Sequence, residues 1–328
     1  EDGEMIKRLA PLLVAIPVLS LLALSLGAVE VDQLWSYIFN PFFDTQSPSH
    51  QIIWEIRAPR VATALLVGAA LGIAGCLAQS STNNPLADPA ILGTSAGASL
   101  GVLLGVLTNL VTIGSIGSVF CAAVGALAAT LLTFSLARSA LQLITIGIGV
   151  SAILSAIVGL SITAISRPDA RSISFWSFGS LSLVTEKNIA IVAPVLLIGA
   201  ICAWKIAPRL DLLSLGDLSV RHMGYSPYRI RLAAFAVLAT LVAVTVSTVG
   251  SIAFLALAAP HIARYICGPR NRSLVIFAGT IGALILLLAD TASRALLPPY
   301  ELPIGLLTSL LGAPILIATL KRSGDVWR

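Results

Sequence analysis

The chain has 328 residues, of which 57% are hydrophobic and only 11% charged, with a mean hydropathy of +0.96; a soluble domain carries about 25% charged residues, so an ordinary soluble protein is excluded. The net charge of +5 is spread without any basic run or stripe, which speaks against nucleic acid as a partner. Aromatic residues are only 6% and the ten-residue alternation of an outer-membrane β-barrel is missing, leaving a polytopic, all-α membrane protein.

At roughly 20 apolar residues per span, the chain has room for about ten helices in a single membrane domain over residues 1–328, and for no large soluble domain. Glu1 to Glu4, before Met5, read as an expression remnant. Lys7 and Arg8 then precede the uncharged run Leu9 to Val29, too long for a signal-peptide core and expected as a retained first helix. Val61 to Ala87 is the next run. Pro89 to Ala137 follows without a charge; as one helix it would be about 74 Å long, so a turn is expected around Thr108 to Gly114. Within these runs Gly68 and Gly72, and Gly93, Gly97, Gly101 and Gly105, recur every four residues, a bare stripe that lets neighbouring helices approach closely. Gly93 to Gly97 also matches G-x-S-x-G, but that motif requires a strand before it and a histidine partner. Neither is evident, and small-residue packing is the better reading of Ser95.

Ser139 to Ser166 and Asn188 to Trp204 supply further spans. Pro208 to Arg231 is the longest hydrophilic interior segment; bundle connections need about 2–8 residues, so its length points to a partner-binding surface built from short amphipathic helices, with Gly216 and Gly224 ending turns and Pro227 starting the next helix. Leu232 to Ala263 has 32 residues, interrupted by Gly250 and Pro260, and Ser273 to Ala289 and Leu302 to Leu320 complete the series. With ten spans and both termini in the cytoplasm, fourteen of the 20 basic residues face inward, as the positive-inside rule requires. Arg57, Arg60, Arg167, Arg171, Lys187 and Arg294 remain outside. Asp290 and Arg294 are four apart and share a helical face; a local ion pair and a docking role for Arg294 both fit.

Chemistry is constrained by elimination. The lysines are Lys7, Lys187, Lys205 and Lys321, and none stands in the Gly-Lys-Ser/Thr setting of a P-loop. Any ATP hydrolysis must come from another chain, and this one is not expected to be an enzyme. The four cysteines, Cys76, Cys121, Cys202 and Cys267, are far apart with no histidine nearby, so neither a metal site nor a disulfide framework is expected. Long spans nearly free of ionisable residues disfavour an ion-coupled secondary transporter.

Five segments in order, Arg57 to Gly75, NNPLADPAILGTSAGAS from Asn84, Leu212 to Gly224, Gly250 to Arg264 and Ala289 to Pro314, resemble the permease subunits of type II ABC importers, the iron-siderophore, haem and vitamin B12 uptake family. The resemblance implies a ten-helix homodimer in the bacterial inner membrane around a central path. It implies two copies of a cytoplasmic ABC ATPase that hold the ATP and magnesium, so no cofactor is bound by this chain, and an extracytoplasmic binding protein that delivers a metal chelate. Under it Arg57, Arg60 and Arg294 receive acidic residues of the binding protein. Gly216 and Gly224 belong to the coupling segment 208–231, where Leu213, Leu215 and Val220 are expected to touch the ATPase. Where the vitamin B12 member has a hydroxyl-bearing gate pair, this chain has Ala140 and Leu141. The outer segment Ser166 to Leu181 looks more like ferric-siderophore or ferric-citrate members; haem and cobalamin are the alternatives.

Overall fold

The computed structural model describes residues 2–27, 29–113, 115–137, 139–164, 176–182, 184–297, 300–310 and 312–314, and among these every regular element is helical. Most of the expected outer segment 166–181, with Arg167 and Arg171, lies outside the described residues, as do Arg138 and the basic tail. The elements are α1 (Asp2–Ser25), α2 (Leu34–Phe39), α3 (Ala58–Thr82), α4 (Thr94–Leu107), α5 (Ile116–Leu136), α6 (Ala140–Ala164), α7 (Glu186–Leu213), α8 (Asp217–His222), α9 (Pro227–Val249), α10 (Leu255–Cys267) and α11 (Asn271–Ala295), with a last apolar helix, α12 (Ile304–Pro314). Seven of these, α1, α3 with its preceding turns, α5, α6, α7, α9 and α11, are long and apolar enough to cross a membrane; α4, α10 and α12 are shorter apolar helices.

Local chemistry sets the boundaries. The long uncharged run breaks between Leu107 and Ile116, where Ser115 caps α5 by accepting the Ser118 N–H at 3.1 Å. The 32-residue run splits as well: α9 stops at Gly250, whose φ of +77° costs a glycine little, and five residues pass before α10 begins. α3 starts earlier than expected, since Pro59 fits a first helical turn. A π-helical turn over Gln51–Arg57 leads into it, so the helical run extends from Pro48 to Thr82. α7 is much longer than its uncharged core, because the Thr185 and Asn188 capping box starts it at Glu186 and its last turns carry on through Arg209 and Asp211.

Burial ranks the helices. In α3 and α11, 78% of the apolar window is inside the protein and in α9 72%, against 6% in α1, so α3, α9 and α11 form the centre and α1 lies along the outside. Bare backbone makes the central contact possible. A Cβ at Gly68 would run into the Gly282 carbonyl, one at Gly72 into that of Ala278, and one at Gly75 into that of Ala256. Gly97 and Gly101 stand in the same relation to the backbone of Gly125 and Cys121, and Gly105 to the Val111 side chain at 2.7 Å. Gly93 differs from the expected stripe: it precedes α4 with φ of +86°, so it serves a left-handed turn. Ser95 follows it in the first turn of α4, with no strand before that helix among the described residues.

Candidate functional site

The ends of the bundle carry different chemistry. At one, α1 finishes beside the starts of α3 and the finish of α11, and the last carbonyls of a helix have no partner within it. Arg57 supplies one, donating from Nη1 to the Leu24 oxygen at 2.7 Å and from Nη2 to the Val29 oxygen at 2.6 Å. Arg294 donates to Ala23 and Leu26, each at 3.1 Å. Arg60 donates from Nε to Asp290 Oδ1 at 2.7 Å and from Nη1 to Glu301 Oε1 at 2.8 Å. Asp290 Oδ2 lies 3.2 Å from Arg294 Nε, an ion-pair contact out of line for a hydrogen bond.

The structure thus brings Arg57, Arg60 and Arg294 together at one depth, and the Asp290 and Arg294 pair forms. All three arginines are nonetheless turned inward, each no more than 6% exposed, around an Asp290 that is fully buried. A buried guanidinium needs acceptors, and here the protein itself provides them. A cavity of about 180 Å³ remains against the cluster, lined also by Gly27, Val29, Tyr300 and Glu301. Sequence reasoning missed Glu301 and the α1 carbonyls, since neither leaves a spacing to read.

At the other end the chain passes from α7 through α8 to α9. Gly216 and Gly224 have φ of +86° and +82°, so the expected turns are present. The expected apolar contacts divide. Leu213 and Val220 are completely buried in the protein's own core, whereas Leu215 is exposed, together with Leu218, Met223 and Tyr225. Leu213 and Val220 are therefore corrected from partner contacts to anchors: α8 is a short amphipathic helix whose Val220 side faces home and whose Leu218 side, 70% exposed, faces away.

Polar side chains fasten this segment to the last turn of α3. Arg231 holds Asp217 with two bonds of 2.8 and 2.7 Å and donates from Nε to the Ser81 carbonyl at 2.9 Å; these bonds keep the Asp217 carboxyl below the usual carboxylate range. Asn83 donates to the Leu213 carbonyl at 2.7 Å. Asn271 donates to Asp211 from its side chain at 2.7 Å and accepts from Ser80 at 2.5 Å. Arg264 reaches Gln79, which donates to the Leu257 carbonyl at 3.1 Å. A motion of α8 would therefore reach the α3 terminus through charge-assisted and amide bonds.

A third feature is a cavity of about 500 Å³ among α4, α6, the segment at Ser177 and Phe178, and the break between α9 and α10. Leu141, the described member of the expected gate pair, is exposed in the first turn of α6; of Ala140 only the backbone is described. Among the described residues no group of three or more His, Cys, Asp or Glu could hold a metal.

The chain as a whole is similar to known transport proteins. Residues 12–322 match the FecCD transport family. The chain is 35% identical over 323 residues to a probable iron chelatin transport system permease protein of Helicobacter pylori, covering 97% of this chain and 98% of that one. It is 33% identical over 319 residues to an iron(3+)-hydroxamate import system permease protein of Bacillus subtilis, with 94% of each covered. It is 33% identical over 323 residues to a hemin transport system permease protein of Yersinia pestis, covering 96% and 95%. Among solved structures, an inward-facing metal-chelate type ABC transporter superposes with a TM-score of 0.84 at 28% identity, over 96% of this chain and 99% of that one.

Proposed function

The chain belongs to the FecCD transport family, and from that we propose that it is the multi-pass permease subunit of an ATP-driven importer for a ferric siderophore or similar iron chelate. The observation that carries this reading is the coupling segment. It presents Leu215, Leu218 and Met223 outward on a helix whose other side is anchored by Val220 and by the clamp of Arg231 on Asp217, a surface suited to a second protein that moves it. Two copies of a cytoplasmic ABC ATPase seat there, on a homodimer of ten spans per subunit with both termini cytoplasmic. The seven long and three short apolar helices support that count, and α3, α9 and α11 transmit the motion.

The arginine end faces away from the cytoplasm and receives the binding protein. The described side chains of the cluster carry three positive and two negative charges, and a carboxylate entering the cavity would replace neutral carbonyl acceptors of Arg57 or Arg294 with a charged one, a stronger bond. The test is reconstitution in liposomes with the ATPase and binding protein: ATP-dependent accumulation of an iron chelate is expected. Uptake by this chain alone, driven by an ion gradient, would overturn the reading in favour of a secondary transporter. The described spans argue against that outcome, since their buried carboxylate, Asp290, is already held by Arg60 and Arg294.

A further inference from the structure

α3 and α11 pack backbone to backbone through Gly68 and Gly72, and α7 lies beside them with a groove of about 760 Å³ left between the three helices. Small residues hollow it out: Ala69, Ala200 and Gly279 are in its lining. Only 17% of the α7 apolar window is inside the protein, and Leu197 and Ile201, which also line the groove, are exposed. The groove therefore opens sideways, toward the surroundings of the bundle. Thr280 is the hydroxyl-bearing residue of its lining, and that hydroxyl is spent on the Ile276 carbonyl at 2.9 Å. Along most of its length the groove thus offers hydrocarbon and asks for no hydrogen bond.

The end toward the segment from α7 through α8 to α9 is different. Trp204 and Lys205 form it, and the Arg272 guanidinium stands over the Trp204 ring at 4.8 Å. Lys205 and Arg272 are exposed, and neither has an ion-pair partner among the described residues. Arg209, also exposed, follows Lys205 by one helical turn. The neighbouring carboxylates are committed elsewhere. Asp211 accepts from the Asn271 backbone at 3.0 Å and from its side chain at 2.7 Å. Glu4, in the turn of α1 that brings Met5 to Ser273, pairs with Arg8 at 3.4 Å.

We propose that this groove retains one anionic glycerophospholipid, with an acyl chain along Ala69, Ala200 and Gly279 and the phosphate between Lys205 and Arg272. The inference needs the membrane placement of the chain and not the identity of its cargo. From Ala193 to Lys205 the groove follows α7 for about 18 Å, close to the roughly 15 Å of hydrocarbon in one leaflet. An indole at that depth marks the membrane interface, and basic pockets between membrane helices select anionic headgroups. Charge complementarity also decides against a second copy as the occupant: a two-fold contact through this face would set Lys205 and Arg272 of one chain against the same cations of the other.

Native mass spectrometry of the full complex with its ATPase, in neutral detergent, counts the lipids held per permease chain. The probes are dioleoyl phosphatidylglycerol and dioleoyl phosphatidylcholine, identical in their chains. Each basic side chain near the surface should contribute about fivefold, so phosphatidylglycerol should fill one site per chain at about thirtyfold lower concentration than phosphatidylcholine. K205Q and R272Q, at exposed positions that leave folding and ATPase binding intact, should each remove about fivefold of that preference. A200F, which fills the groove without touching the cations, should abolish the tight site for both lipids, and glycerol phosphate, a headgroup without chains, should not compete. Equal filling by the two lipids, a preference unchanged in the K205Q/R272Q double variant, or tight binding that survives A200F would mean ordinary boundary lipid and overturn the proposal. Displacement by glycerol phosphate would assign the cations to a free phosphate compound, and separation of the A200F complex into single permease chains would make the groove an interface between copies; either result would overturn it as well.

Discussion

Asp290→Asn is the sharpest test of how the arginine end is held. The carboxylate is fully buried and faces two guanidinium groups, Arg60 at 2.7 Å and Arg294 at 3.2 Å. The amide keeps the volume but removes the charge and turns donor hydrogens toward one of two cations. Breaking a buried ion pair costs about 3–5 kcal/mol. Arg60 retains Glu301 at 2.8 Å and Arg294 retains the carbonyls of Ala23 and Leu26, so the loss should fall near the low end, about 3 kcal/mol. Equilibrium unfolding in mixed micelles, followed by helix circular dichroism, reads the difference. Combining D290N with R294Q should cost less than the sum of the separate changes, because the second substitution removes a stranded charge. A D290N protein within about 0.5 kcal/mol of the parent would refute the argument and mean that Arg60 and Arg294 do not depend on this carboxylate.

Gly72→Ala should destabilise by about 1–3 kcal/mol, since its Cβ would run into the Ala278 carbonyl, whereas Gly159→Ala, with nothing within 4 Å, should be neutral or stabilising; the same unfolding assay compares them, and equal effects would deny close packing of α3 on α11. Asp88, buried in the loop before α4, has its carboxyl pushed up to about 6 by burial despite the Ala90 N–H bond at 2.7 Å. The folded protein therefore holds this proton more tightly than the unfolded chain, so stability should fall by about 2 kcal/mol as pH rises from 4 to 6. D88N, which keeps the acceptor oxygen, should flatten that slope in unfolding curves taken across the window. Leu218→Asp should leave the fold intact, at a change within about 0.5 kcal/mol, while abolishing co-purification of the ATPase; Val220→Asp, at a buried position, should unfold the segment instead. Gly216→Val should cost about 1–3 kcal/mol of local strain at φ of +86° and lower the amount of chelate moved per ATP, read by parallel uptake and hydrolysis measurements.

Much of this protein was legible in the order of its residues, because a membrane imposes rules that act along the chain. Long uncharged runs must be helices, since lipid offers no partner to a free peptide group, and a 49-residue run must turn. Glycines four apart point to a face where backbones meet, and Gly68, Gly72, Gly97 and Gly101 lie on one. The turns at Gly216 and Gly224 were readable because a helix-ending glycine between hydrophilic residues has one common use. Direction was not readable in the same way. Whether Leu213 and Val220 face a partner or their own core depends on where α8 lies relative to α7 and α9, and whether Arg57 and Arg294 face solvent depends on α1 ending beside them. Gly93 shares the four-residue spacing yet serves a turn, because spacing does not encode φ. Asp290 and Glu301 are 230 and 241 residues from Arg60, and Gln79, Ser80 and Asn83 meet their partners across similar distances. Periodicity reports which residues share a helix face; only the packing of helices remote in sequence decides what that face meets, and buried charge is defined by what it meets.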